Sequence, residues 1–193
     1  MSTSQKSALN VFLVGPMGAG KTTIGKRLAE ALGLAFVDSD HEIELRTGAK
    51  IPWIFDIEGE AGFRRREKEV VQALTARRGI VLATGGGVVL DADNRARLVD
   101  GGMVIYLTAP LENLLERTAS DKNRPLLQTD DPRGRFQAML EQRDPLYRQV
   151  ADIVVDTSVK NVRALVQDLV LAVRRYQSGA TIDAREQRRE YRK

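Results

Sequence analysis

Short runs of consecutive apolar residues alternate along this chain with longer stretches in which apolar positions recur every three or four residues. The short runs predict strands at residues 11–14, 35–37, 80–83, 103–107 and 153–155. The longer stretches predict helices following Lys21, from Glu42, from Gly62, from Asn94 and from Leu111, another helical pattern after Gly134, and a closing helix over residues 161–176. This strand and helix alternation is an α/β order. Near-continuous hydrophobicity in each strand predicts burial on both faces, and hence a parallel sheet with right-handed crossovers and helices on both sides. Neither an internal repeat nor a low-complexity segment interrupts the pattern.

Between the first strand and the helix after it stands GPMGAGKT, residues 15–22. Ile24, Leu28, Ala31 and Leu32 continue at helical spacing, giving the strand, loop and helix context of a phosphate cradle. Glycines let backbone amides turn inward, and the helix beyond them aims its positive dipole end at the same point. Lys21 would reach the β- and γ-phosphates of a nucleotide, and the Thr22 hydroxyl would ligate an accompanying Mg²⁺.

In sheets of this kind ligands collect at the carboxyl ends of strands. Two further candidate sites fall there: DSD at residues 38–40, after the second strand, and TGGG at residues 84–87, after the third. If Asp38 and Asp40 alternate across a strand end, their carboxylates diverge and take different work. Asp38 is then suited to Mg²⁺, which keeps much of its water and needs few carboxylates, and Asp40 to an acceptor hydroxyl. The plainer reading, a helix cap before Glu42 and Ile43, stands beside this one. The third strand ends in glycines where many phosphate-loop proteins carry the magnesium-linked acid, which points back to Asp38. Only backbone is available for recognition at Gly85, Gly86 and Gly87, suiting a carboxylate or hydroxyl; a simple turn is the other reading. Of Arg64, Arg65 and Arg66, helical geometry lets one or two face a crevice. Arg143, in QRDPLY, reads either as a surface ion pair or as a bidentate carboxylate ligand. Residues 120–134, SDKNRPLLQTDDPRG, read either as a linker or as a loop able to close over a site.

Composition narrows the classes. The 193 residues, 42% hydrophobic and 29% charged, suit a globular domain. No stretch has signal-peptide or membrane-spanning character, so a cytoplasmic protein is expected. With no cysteine and one histidine, thiolate and multi-histidine metal sites are excluded within one chain. The net charge of +4 resides in the tail: residues 174–193 hold seven Arg or Lys against three Asp or Glu. A solvated basic extension follows, and nucleic-acid binding does not.

Together GPMGAGKT, DSDHEIE, the IF and GE elements within IFDIEGEAGFRRRE, LATGGG, NRPLL and RDPLY closely resemble the shikimate kinases, over about residues 10–155. The resemblance implies a phosphate-loop fold of the nucleoside-monophosphate-kinase type, a five-stranded parallel sheet in the order 2-3-1-4-5. It implies transfer of the ATP γ-phosphate to the 3-hydroxyl of shikimate, with Mg²⁺ and no nucleic-acid or membrane partner, by a monomer. Residues 1–9 would be a flexible start and residues 10–176 a single kinase domain, followed by the basic tail of residues 177–193. Within the domain the shikimate-binding segment would span about residues 40–67 and the lid about 118–134. By the same resemblance Gly18, Ala19, Gly20, Lys21, Thr22 and Thr23 hold the ATP phosphates, with Thr22 and Asp38 on the metal. Asp40 binds and polarises the acceptor hydroxyl, Arg64 and Arg143 grip the carboxylate, and Gly86 offers a backbone contact. Arg124 is the lid arginine over the phosphates, and Lys160 falls near adenine. Gluconate and nucleoside-monophosphate kinases share the cradle and lid, and a non-enzymatic nucleotide-binding module remains the alternative outside enzymes.

Overall fold

A computed structural model describes residues 9–119 and 131–178 of the chain. Five strands, β1 (Val11–Val14), β2 (Ala35–Asp38), β3 (Ile80–Ala83), β4 (Met103–Thr108) and β5 (Ile153–Asp156), form one sheet in the order β2-β3-β1-β4-β5. Every neighbouring pair is parallel, with Val11 opposite both Val81 and Met103. Helices α1 (Lys21–Leu32), α2 (Ser39–Thr47), α3 (Ile51–Thr75), α4 (Ala92–Gly101), α5 (Leu111–Thr118), α6 (Pro132–Val150) and α7 (Val162–Gln177) supply the connections and the closing element.

The period-two alternation of the central strands creates two cores, one on each sheet face. Val11 and Leu13 of β1 join Met103, Ile105 and Leu107 of β4 beneath α1 and α7. Phe12 and Val14 join Val104 and Tyr106 against α3, α4 and the end of α6. Burial on both faces holds for β1 and β3, buried throughout, and for β4, buried except at its last residue. It fails for β2 and β5. These are the two sheet edges, where neighbouring elements cover the strand only partly although its residues are as apolar as those inside.

Several helices begin earlier than their periodicity predicts. Asp38 caps α2 by accepting from the Asp40 and His41 N–H groups, moving its start from Glu42 to Ser39. Asp91 does the same for α4 through Asn94 N–H. The third helix begins at Ile51, with Pro52 in its first turn, and is broken at Gly59 (φ 68°, ψ −177°). That break scrambles the apolar rhythm before residue 62, which is why periodicity finds only the second half.

Candidate active site

The carboxyl ends of β1, β2 and β3 bring their loops together in a cleft of about 340 Å³. Its wall includes Gly18, Gly20, Lys21, Thr22 and Thr23 from the first loop, Asp38 and Asp40 from the second strand end, and Thr84 and Gly86 from the third. Ala19 is buried beneath the loop. The loop enters under tight constraint: a Cβ on Gly15, whose φ is +139°, would lie 2.1 Å from the Leu107 carbonyl oxygen of β4. Gly20 occupies the N-cap of α1 with φ 87° and brings no side-chain acceptor, so the leading N–H groups of α1 are left to a ligand. Lys21 Nζ donates to the Gly15 and Pro16 carbonyls, each at 2.8 Å, holding the ammonium against the loop where phosphates would bind.

Asp38 caps α2 and at the same time bonds the phosphate loop. Its Oδ1 accepts from Asp40 N–H at 3.0 Å, capping α2, and its Oδ2 accepts from the Thr22 hydroxyl at 2.8 Å. Asp40 is consequently a first-turn helical residue of α2 rather than a strand residue alternating with Asp38. Thr22 and Asp38 present hard oxygen donors side by side at the phosphate loop. That pair suits Mg²⁺, which retains several waters and takes one or two protein oxygens. Among the described residues no cluster of three or more acidic, histidine or cysteine ligands offers a competing site.

The glycine triplet is the hub of the acceptor side. A Cβ on Gly85 would lie 2.7 Å from Asp40 Oδ1 and 2.9 Å from Glu67 Oε1; one on Gly87 would lie 2.1 Å from Arg64 Nη1. Gly86 faces the first loop through Met17 N and Gly15 O, and its carbonyl accepts from the Tyr147 hydroxyl. Only residues without side chains admit a carboxylate pair and a guanidinium this close to the main chain.

Arg64 pairs with Glu67, which also feels the charge of Arg143, and neither arginine lies on the cleft wall. Arg64 Nη1 donates to Glu67 Oε2 at 2.7 Å, and Nη2 to Glu60 at 2.9 Å. Burial pushes the Glu67 carboxyl above its usual range, against the pull of Arg64 and Arg143. Burial also works against the Arg64 charge, but Glu67 and Glu60 outweigh it and hold the guanidinium above its ordinary value. The two shifts oppose each other across one ion pair; with a guanidinium that stays charged, the desolvation cost falls on Glu67. Arg143 is only 7% exposed, and its Nε is buried with no hydrogen-bond partner among the described residues. Such a donor is set to gain from any acceptor brought beside it.

Lys160 is not part of this assembly: it pairs with Asp168 of α7 and lines a separate groove along β5. Arg124 lies outside the described residues, as does most of the segment expected to be a lid. Three residues of the site were given no role by the sequence, although Glu67 and Tyr147 close two of the quoted motifs. Arg117 lines the cleft and donates to the Gly18 carbonyl at 3.3 Å and to the Thr157 hydroxyl at 3.0 Å. Glu67 stands three residues after Arg64 and Tyr147 four after Arg143, both legible as same-face helical neighbours.

A family model described as shikimate kinase matches residues 17–174. The chain belongs to the shikimate kinase family. A shikimate kinase from Halorhodospira halophila is 57% identical over 163 residues, covering 84% of this chain and 92% of its own. One from Methylococcus capsulatus is 58% identical over 163 residues, covering 84% and 91%. Among solved structures, shikimate kinase from Acinetobacter baumannii in complex with shikimate is 53% identical with a TM-score of 0.84, covering 86% of this chain and 93% of that one. A gluconokinase from Sinorhizobium meliloti has a TM-score of 0.60 at 17% identity, covering 93% of this chain and 99% of that one, which shows a shared fold alone. The shikimate kinase match covers every residue of the cleft wall, and takes in the acid pair, the glycine triplet and the phosphate loop from Met17 onward.

Proposed function

We infer that this protein transfers the γ-phosphate of ATP to the 3-hydroxyl of shikimate, giving shikimate 3-phosphate and ADP. The observation that carries this reading is the convergence of the phosphate loop, Asp40 and the Arg64–Glu67 pair on Gly85, Gly86 and Gly87, in a chain of this family. Phosphoryl transfer needs in-line placement and charge stabilisation more than covalent chemistry.

The leading N–H groups of α1 and Lys21 take the ATP phosphates. Lys21 needs only to exchange two loop carbonyls for phosphate oxygens. Thr22 and Asp38 would hold Mg²⁺, which when bound neutralises charge on the β- and γ-phosphate oxygens. Asp40 orients the shikimate 3-hydroxyl and accepts its proton. Arg64 and Arg143 take the shikimate carboxylate, the buried Nε of Arg143 gaining the acceptor it lacks. Gly86 contributes a backbone contact, and Arg124 would add charge over the phosphates. Lys160, committed to Asp168, has at most a marginal role near adenine. We further propose that the enzyme works as a cytoplasmic monomer on these two small molecules, without a nucleic-acid or membrane partner. No described helix is long and apolar enough to cross a membrane.

A coupled assay with ATP should give turnover with shikimate and only background with gluconate or AMP; turnover with either of those and none with shikimate would overturn the reading. Arg143→Lys replaces a planar fork by a point charge at a buried position, so the Michaelis constant for shikimate should rise about ten-fold with that for ATP unchanged. An unaltered constant would remove Arg143 from the carboxylate site.

A further inference from the structure

The carbonyls of the glycine triplet are bonded in two different ways. Gly85 O accepts from Val88 N–H and Gly87 O from Leu90 N–H, both within the short turn that follows the triplet. Gly86 O accepts instead from the Tyr147 hydroxyl, 61 residues away on α6. The Gly85 N–H is also committed, donating to Ser39 Oγ at 2.9 Å. The peptide joining Gly86 to Gly87 is thus oriented by a side chain from another element, while the triplet's other two carbonyls are fixed by local turns.

The described peptides contain no cis bond, so the Gly87 N–H is antiparallel to the Gly86 carbonyl. Anchoring the carbonyl on α6 directs that N–H away from α6. The anchor itself is rigid. The Tyr147 ring is fully buried and packs at 4.9 Å on Tyr106, whose own hydroxyl is engaged by Asp144 at 2.8 Å. Arg143 lies one turn before Tyr147 on the same helix face, so one short stretch of α6 carries both an arginine of the site and the hold on its glycine loop.

We propose that Tyr147 is a positioning residue for the acceptor: its hydroxyl fixes the Gly86–Gly87 peptide so that the Gly87 N–H is presented to bound shikimate in register with Arg143. This rests on the shikimate kinase reading. It goes beyond that reading in assigning the orientation of a recognition amide to a residue that never touches substrate. Tyr147 packs α6 on the sheet whether or not it has this role, so the two contributions must be separated.

Tyr147→Phe keeps the buried ring and removes the hydroxyl, and with it both the bond to Gly86 and the interaction with Arg143. The Michaelis constant for shikimate should rise about five- to ten-fold, the worth of one hydrogen bond, with kcat and the constant for ATP changed by less than about two-fold. Tyr106→Phe removes a hydroxyl from the same aromatic pair without touching the triplet, and should leave the shikimate constant unaltered. An unchanged shikimate constant in Tyr147→Phe, or an equal rise in Tyr106→Phe, overturns the proposal. Wild-type turnover with shikimate, measured alongside, tests the underlying reading separately.

Wild-type protein labelled with ¹⁵N-glycine and titrated with shikimate, which needs no variant to fold, tests the Gly87 contact that the proposal requires. The Gly87 amide resonance should move strongly and that of Gly85, committed to Ser39, only weakly. A Gly87 resonance indifferent to shikimate overturns the assignment.

Discussion

Asp40→Asn is expected to lower turnover with shikimate by about 10²- to 10⁴-fold, the range set by loss of a general base. The substitution is close to isosteric, and the structure explains why it should leave the fold intact. Asp40 is placed by its backbone: its N–H is held by Asp38 Oδ1 at 3.0 Å, whatever its own side chain carries. Removing a first-turn carboxylate from α2 costs only about 0.5 kcal/mol of helix-dipole interaction. The amide can still point over Gly85, where Asp40 Oδ1 now lies, but cannot accept a proton. The defect should therefore appear in kcat, with the Michaelis constant for ATP near normal, because Lys21, Thr22 and Asp38 are untouched. Near wild-type kcat in a rapid coupled assay would reject the base role.

The second large effect is on stability. Gly15→Ala should lower the free energy of unfolding by about 4 kcal/mol, combining backbone strain at positive φ with a clash against main chain. A Cβ there would stand 2.1 Å from the Leu107 carbonyl oxygen, and φ is +139°. Neither contact can be relieved by rotating a side chain: β1 and β4 are paired in register up to Val14 and Tyr106, so the strands themselves would have to part. The same change disturbs one of the two carbonyls that hold Lys21. Urea unfolding should show a midpoint shifted strongly downward; a loss below about 1 kcal/mol, within the ordinary range for point substitutions, would mean the loop entry is far more yielding than its geometry implies.

Five strands and most helices were legible in the sequence because apolar runs and helical periodicity report burial directly, while their order in the sheet came from the resemblance to the shikimate kinases. Two things escaped. Burial of edge strands did not follow from their composition: Val37 and Val154 are as apolar as the central residues, but only the sheet order reveals that β2 and β5 each have one neighbour. The first half of α3 was hidden by the Gly59 break, which resets the periodicity mid-helix. For the site, residues whose chemistry a motif explains locally were readable, whereas Glu67 and Tyr147, inside the quoted motifs, and Arg117, outside them, were given no role. GPMGAGKT, DSD and GGG each have a local reason for their composition. Tyr147 and Arg117 acquire their partners only once α5 and α6 are packed, whereas Glu67 pairs with Arg64 on its own helix; an isolated Glu, Tyr or Arg on a helix has many ordinary explanations. At DSD the cap and ligand readings do not compete, because a carboxylate has two oxygens: with Oδ1 on the helix cap, Asp38 still turns Oδ2 to Thr22.

That division of Asp38 has a geometric consequence for the reaction. The spacing between the phosphate that leaves and the oxygen that receives it is bridged by one residue's covalent frame: one oxygen faces the donor loop, and the other sets the register of the helix turn bearing Asp40. Two halves of a bimolecular reaction are thereby gauged against each other by a rigid link about 2.2 Å long, the separation of two oxygens on one carbon, rather than by the looser meeting of separate segments.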